Sequence, residues 1–198
     1  MNTLAETILE RTSGLSEGTP ICAKELLHLG SRAAVDQALA RLVKRGRLMR
    51  VGRGVYVRPV EGRFGKRAPS ASTVVAQVAG IKGETVASHG AAAANKLGLT
   101  TQVPVRAVYL TSGPSRRLKL GSEEVELRHA PAWQFALANH PAGEVLRALA
   151  WLGPERAGEA LRRLKHKLSS RELTEIASAR AILPSWLAKE VSEVVVNG

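Results

Sequence analysis

The chain has 198 residues, with 29 Lys and Arg against 17 Asp and Glu and a formal net charge of +12, a length for one large or two small domains and a charge that points to a polyanion. Cys22 is the only cysteine, so an internal disulfide is excluded. The leucine- and alanine-rich stretches are broken every few positions by Lys, Arg or Gly, so no membrane-spanning helix is expected. With no leader pattern at the start, a reducing cytoplasm is the expected compartment.

Thr3 followed by Glu6 reads as a capping box, and Leu4, Ile8 and Leu9 continue at helical spacing to about Arg11. Ser13 to Gly18 is turn-rich, and Thr19 to Cys22 leads into a brief second helix, Ala23 to Leu29, stopped by Gly30. Ser31 then caps a third helix with Val35, Leu39, Leu42 and Val43 on one stripe, closed by Gly46. Its opposite face carries Arg32, Ala33, Asp36, Gln37, Ala40, Arg41 and Lys44. Alternation from Leu48 to Val57, interrupted by Val51-Gly52-Arg53-Gly54, reads as a hairpin with a glycine-rich tip. Three helices followed by a basic hairpin is the order of a winged helix-turn-helix.

From Arg41 to Arg67 ten basic residues face a single acid, Glu61, whereas a merely solvated surface mixes both signs. Residues 58–70 are rich in Pro, Gly and Arg and read as a linker. Beyond it, Thr73 to Val78 and Ser88 to Leu97 read as helices, the latter capped by Ser88. Val103 to Leu110, Arg116 to Leu120 and Val125 to His129 alternate as strands of a small antiparallel sheet. Ala142 to Leu152, a segment from Pro154, one capped by Ser170 and one from Pro184 form a helical tail. The expected fold class is therefore α+β: a winged helix-turn-helix at 1–60, a basic linker at 61–70, and a mixed C-terminal domain at 71–198.

For a winged helix the DNA-contacting residues would be Ser31, Arg32, Asp36, Gln37, Arg41 and Lys44 on the third helix and Arg50 and Arg53 on the wing. Arg32 suits guanine, Gln37 adenine and Asp36 a cytosine amino group, while the other cations suit phosphates. Asp36 equally suits an ion pair with Arg32 one turn away. A membrane surface is a poorer partner, because the basic segments lack a broad Trp, Phe and Leu face.

No catalytic residue is expected. Asp36 is the sole aspartate, and Glu123, Glu124 and Glu126 alternate as a strand face does. The histidines 28, 89, 129, 140 and 166 lack metal-ligand spacing, so neither metal nor cofactor is expected. A second basic run, Arg156, Arg162, Arg163, Lys165 and Lys167, is balanced in part by Glu155 and Glu159.

The stretches AVDQALARLVKRGRLMRVGRGVYV and SHGAAAANKLGLTTQVPVRAVYLTSGPSRRLKLGSEEVELRHA, with LPSWLAKEV near the end, resemble the AbiEi-type antitoxins of type IV toxin-antitoxin systems. The resemblance implies a repressor that binds double-stranded DNA at an operator upstream of its own gene. It also implies a functional partner, a nucleotidyltransferase-like toxin, counteracted through a C-terminal domain. The basic face such a domain uses would draw on Arg116, Arg117, Lys119, Arg162, Arg163 and Lys165. A stand-alone winged-helix regulator with a sensory or protein-interaction C-terminal domain shares every N-terminal feature and stays open.

Overall fold

The structure is a computed structural model and describes residues 3–63 and 65–196. The fold is mixed α and β, with small antiparallel sheets and a helical C-terminal part. Two compact units divide it: everything up to Glu84 together with Arg116–Glu126, and Thr85–Ser115 together with the chain from Leu127 onward.

In the first unit α1 (Leu4–Thr12) begins at the expected capping box. The Thr3 hydroxyl accepts from the Glu6 amide, and the Glu6 carboxylate accepts from the Thr3 amide at 2.7 Å. Strand β1 (Ile21–Cys22) is followed by a 3-10 helix (Ala23–Leu29), then α2 (Arg32–Lys44) and the hairpin β2 (Met49–Gly52) and β3 (Val55–Val57). The sheet order is β1-β3-β2, all antiparallel, with Ile21 opposite Tyr56 and Arg50 opposite Tyr56. A bulge falls between Arg50 and Gly52, and Gly54 turns the hairpin at φ +69°, a conformation that costs a side-chain-bearing residue. The Gly54 carbonyl accepts from the Ala23 amide at 2.9 Å, which ties the hairpin to the 3-10 helix.

One core closes this assembly. Ile8 from α1, Ile21 from β1, Leu26 from the 3-10 helix, Val35, Leu39 and Leu42 from α2, Leu48 just before the hairpin and Tyr56 within it form a single buried cluster. The 3.6-residue spacing of Val35, Leu39 and Leu42 aims α2's apolar stripe at that cluster and leaves its polar stripe outside.

The basic stretch expected to be a linker is a second hairpin, β4 (Val60–Gly62) with β5 (Gly65–Arg67); Phe64 lies outside the described residues. Its charges find partners while remaining exposed. Lys66 lies opposite Glu61 at 3.7 Å and donates to the Gly46 carbonyl at 3.2 Å, while Arg67 reaches Glu17 at 3.4 Å. Helix α3 (Ala71–Ile81), capped by Ser70, is longer than its sequence signal and buries Val74, Val75, Val78 and Ala79. Residues 116–126 then return as β8 (Arg116–Leu120) and the first part of β9 (Glu123–His129), burying Leu118, Leu120 and Val125. The chain thus leaves the first unit at Glu84 and re-enters it at Arg116. A division by linker composition, which sees only contiguous segments, places it instead at 61–70.

In the second unit β6 (Val86–Ser88) pairs with β7 (Ala107–Thr111), and the end of β9 follows in the order β6-β7-β9. The strand expected from Val103 starts only at Ala107. Pro104 has no amide hydrogen and restricts Val103, and Val103 and Val105 stand 73% and 99% exposed. Helix α4 (Gly90–Lys96) is capped by His89, whose Nδ1 accepts from the Ala91 amide, and not by Ser88, which closes β6. The tail comprises α5 (Pro141–Leu152), α6 (Pro154–Lys165), α7 (Ser170–Ser178) and α8 (Ser185–Val191) around one apolar cluster. Ser169, not Ser170, caps α7, in a capping box with Glu172, and the helix passes into a 3-10 turn at Ala179–Ile182. No helix among the described residues is long and apolar enough to cross a membrane.

Candidate nucleic-acid interface

Helix α2 exists where it does because Ser31 starts it and Gly46 ends it. The Ser31 hydroxyl accepts from the Ala34 amide at 3.3 Å, and Gly46 follows at φ +62°. Ser31 is therefore occupied as a cap. At 100° per residue, Arg32, Asp36, Ala40, Ala33, Lys44, Gln37 and Arg41 span about half the helix circumference, and all seven are exposed. The two alanines lie inside that arc and let the backbone approach a partner closely.

The polar arc is pre-ordered at both ends. Arg32 Nε donates to Asp36 Oδ2 at 3.0 Å, and Arg41 Nε donates to the Gln37 carbonyl at 3.4 Å. Asp36 is thus engaged by Arg32, the second of the two roles its spacing suits. On the hairpin Arg50 Nε donates to the Gly52 carbonyl at 3.3 Å across the bulge, while Arg53 stands exposed at the tip beside Gly54. Arg45, Arg47 and Arg63 are exposed in the same unit. They belong to the basic run between Arg41 and Arg67, whose density was evident, but no periodicity assigns them to a particular face.

The second set of cations is divided between the two units. Arg116, Arg117 and Lys119 fall in the first unit and Arg162, Arg163 and Lys165 in the second, so they do not share a C-terminal domain. Arg116 is held by Glu84, its Nη1 and Nη2 donating to the two carboxylate oxygens at 3.0 and 2.5 Å, with both side chains largely buried. A fork-to-fork pair of this kind is structural. Arg117 pairs with Glu124 at 3.3 Å in the open, which accounts for one of the clustered glutamates, and Lys119 is exposed. On α6 Arg162 and Arg163 are exposed and Lys165 is half-buried.

Among the described residues no group of three His, Cys, Asp or Glu side chains is placed to hold a metal ion. Burial, and then the Glu25 carboxylate, pushes the Cys22 thiol up, away from thiolate character. One buried cation was not singled out by sequence reasoning: Arg147, 1% exposed within α5. The signal was there, since it interrupts an otherwise apolar stretch from Val145 to Leu152.

No curated protein matches the chain. A family model described as "Family of unknown function (DUF6088)" matches residues 7–176. That match covers most of both units, and the chain belongs to the DUF6088 family.

Proposed function

We propose that the first unit is a winged helix-turn-helix that reads duplex DNA, with α2 in the major groove and the β2–β3 hairpin as the wing on the backbone. The observation that carries this reading is the seven-residue polar arc of α2, exposed opposite a stripe committed to the core and followed directly by a hairpin that presents Arg53 at its tip. A three-stranded sheet in which a short strand before the helix pair joins the hairpin supports it. Excess positive charge supplies the non-specific part of the affinity.

The biological role in this proposal is an antitoxin that represses its own operon and counteracts a nucleotidyltransferase-like toxin encoded beside it. It rests on the sequence resemblance to AbiEi-type antitoxins. In this reading the protein performs no catalysis, and the second unit carries the protective activity. The experiment is a promoter-reporter assay beside growth rescue on induction of the neighbouring gene, each with the full chain and with its Arg32→Ala/Gln37→Ala variant. Repression should be lost and rescue kept. Full repression without any rescue would instead support a stand-alone regulator, and a cavity in the second unit lined by His89, Arg128, His129 and Arg147 favours that second reading.

A further inference from the structure

The second unit buries a positive charge, Arg147, that no carboxylate among the described residues touches. Arg147 lies in the middle of α5, where Val145, Leu146, Ala148 and Leu149 are all core residues. Its Nη1 donates to the Gln134 carbonyl and its Nη2 to the Ala138 carbonyl, both at 3.3 Å, and its Nε is buried without a partner. A guanidinium has five N–H donors, so most of its capacity is unspent. The carboxylate whose charge acts on it is Glu144, one turn earlier, and that carboxylate takes two bonds from Lys96 at 2.7 and 2.9 Å. Burial pushes the Arg147 guanidinium down from its ordinary value, the mark of a cation held where water does not stabilise it. Buried charges are ordinarily paired.

A cavity of about 170 Å³ adjoins it, and every residue around the cavity belongs to this unit. Arg147, Arg128, His89 and His129 supply its polar wall, Leu110 and Trp151 its apolar wall, and no Asp or Glu lines it. The histidines are oriented by the backbone. His129 Nδ1 faces the Gly113 carbonyl at 3.0 Å and so carries the proton, whereas His89 Nδ1 accepts from the Ala91 amide, so a neutral His89 carries its proton on Nε2. The walls are held close. A Cβ on Gly90 would collide with the Arg147 carbonyl oxygen and come within 2.6 Å of Trp151 Cβ.

We propose that this cavity binds a small organic anion, with one oxyanion group, carboxylate or phosphoryl, lying in the field of Arg147 and Arg128 and a short apolar body against Trp151 and Leu110. Its volume falls below the roughly 300–1,000 Å³ of ordinary drug-sized sites, so the ligand is the size of phosphate or a short-chain acid and not a nucleotide. The positive wall selects for charge, and Trp151 and Leu110 select against a fully hydrated ion.

The experiment is thermal unfolding and calorimetric titration of the full chain with sodium phosphate, sodium propionate and, at matched ionic strength, sodium chloride. Phosphate or propionate should stabilise saturably, by mass action on the folded state, and chloride should not; which of the two does so separates a phosphoryl from a carboxylate ligand. Arg128→Gln should weaken the responding ion by about tenfold, the loss of one charged hydrogen bond. Arg147→Met should abolish the response; if that variant does not fold, Arg128→Gln decides alone. No saturable response to either anion, or an equal response in Arg128→Gln, would leave Arg147 as a clamp on the Gln134 and Ala138 carbonyls and overturn the proposal. Because no arm uses DNA, failure here is separable from failure of the DNA-binding reading.

Discussion

Arg32 and Asp36 form an ion pair at 3.0 Å along the exposed edge of α2, with half or more of each side chain in solvent. Such a pair is worth only about 0.3–0.5 kcal/mol to stability, so its consequence lies in function. Asp36 holds the Arg32 guanidinium in one direction before any partner arrives. Asp36→Ala should therefore leave the melting temperature within error, yet relax discrimination among DNA sequences by releasing Arg32. Competition binding against a randomised duplex library measures this, and unchanged discrimination would show that the pair does not orient the reading side chain.

Arg53 is expected to behave differently because it stands on a hairpin tip and not on the helix. Arg53→Ala should weaken binding to every duplex alike and reduce the slope of log K against log salt by about one, the loss of one phosphate contact. A titration across several salt concentrations tests it. An unchanged slope removes the hairpin from the interface.

The Arg116–Glu84 pair gives a stability prediction. Both partners are mostly buried, so removing one takes the bidentate ion pair from the other, and Glu84→Ala should destabilise the protein by about 3 kcal/mol, read by chemical denaturation. The same change should leave DNA affinity unaltered in the folded protein. A change below about 0.5 kcal/mol, the ordinary scatter of surface substitutions, would mean the pair is solvated after all.

The two capping boxes make the helix starts sensitive to acid. The Thr3 amide and hydroxyl hold Glu6 below the ordinary carboxylate value, and the Ser169 hydroxyl and amide do the same for Glu172. A depressed folded value means the contribution is present above the unfolded value of 4.5 and is lost as pH falls through the folded one. Unfolding midpoints measured from neutral pH down to about 3, below the usual carboxylate range, should therefore fall less in the Glu6→Gln/Glu172→Gln variant than in the parent. Parallel curves would contradict the assignment.

Much of the first unit was legible because local rules and tertiary packing agree there. Thr3 with Glu6, Ser31, and the Val35, Leu39 and Leu42 stripe each fixed an element edge or face, and the core used all of them. Legibility failed where partners lie far away in sequence. Nothing near Arg116 announces Glu84, 32 residues earlier, and nothing in residues 58–70 announces that Lys66 and Arg67 find Gly46 and Glu17. Composition therefore made a linker of a hairpin, and the family resemblance made part of a binding face of a structural cation. The caps shifted by one residue, from Ser88 to His89 and from Ser170 to Ser169, because neighbouring residues could all accept a backbone hydrogen bond and only the tertiary path chooses between them.

The most direct test of the account is quantitative binding of the full chain to the DNA upstream of its own start codon and to random duplex of equal length, at one fixed salt concentration. The protein with α2 and the hairpin intact should prefer the upstream DNA. Arg32→Ala and Gln37→Ala should each weaken that specific binding by about 1–3 kcal/mol while leaving random duplex nearly unchanged. Equal binding of both DNAs by the parent protein, or equal losses on both in the two variants, would contradict the assignment of α2 as the element that reads sequence.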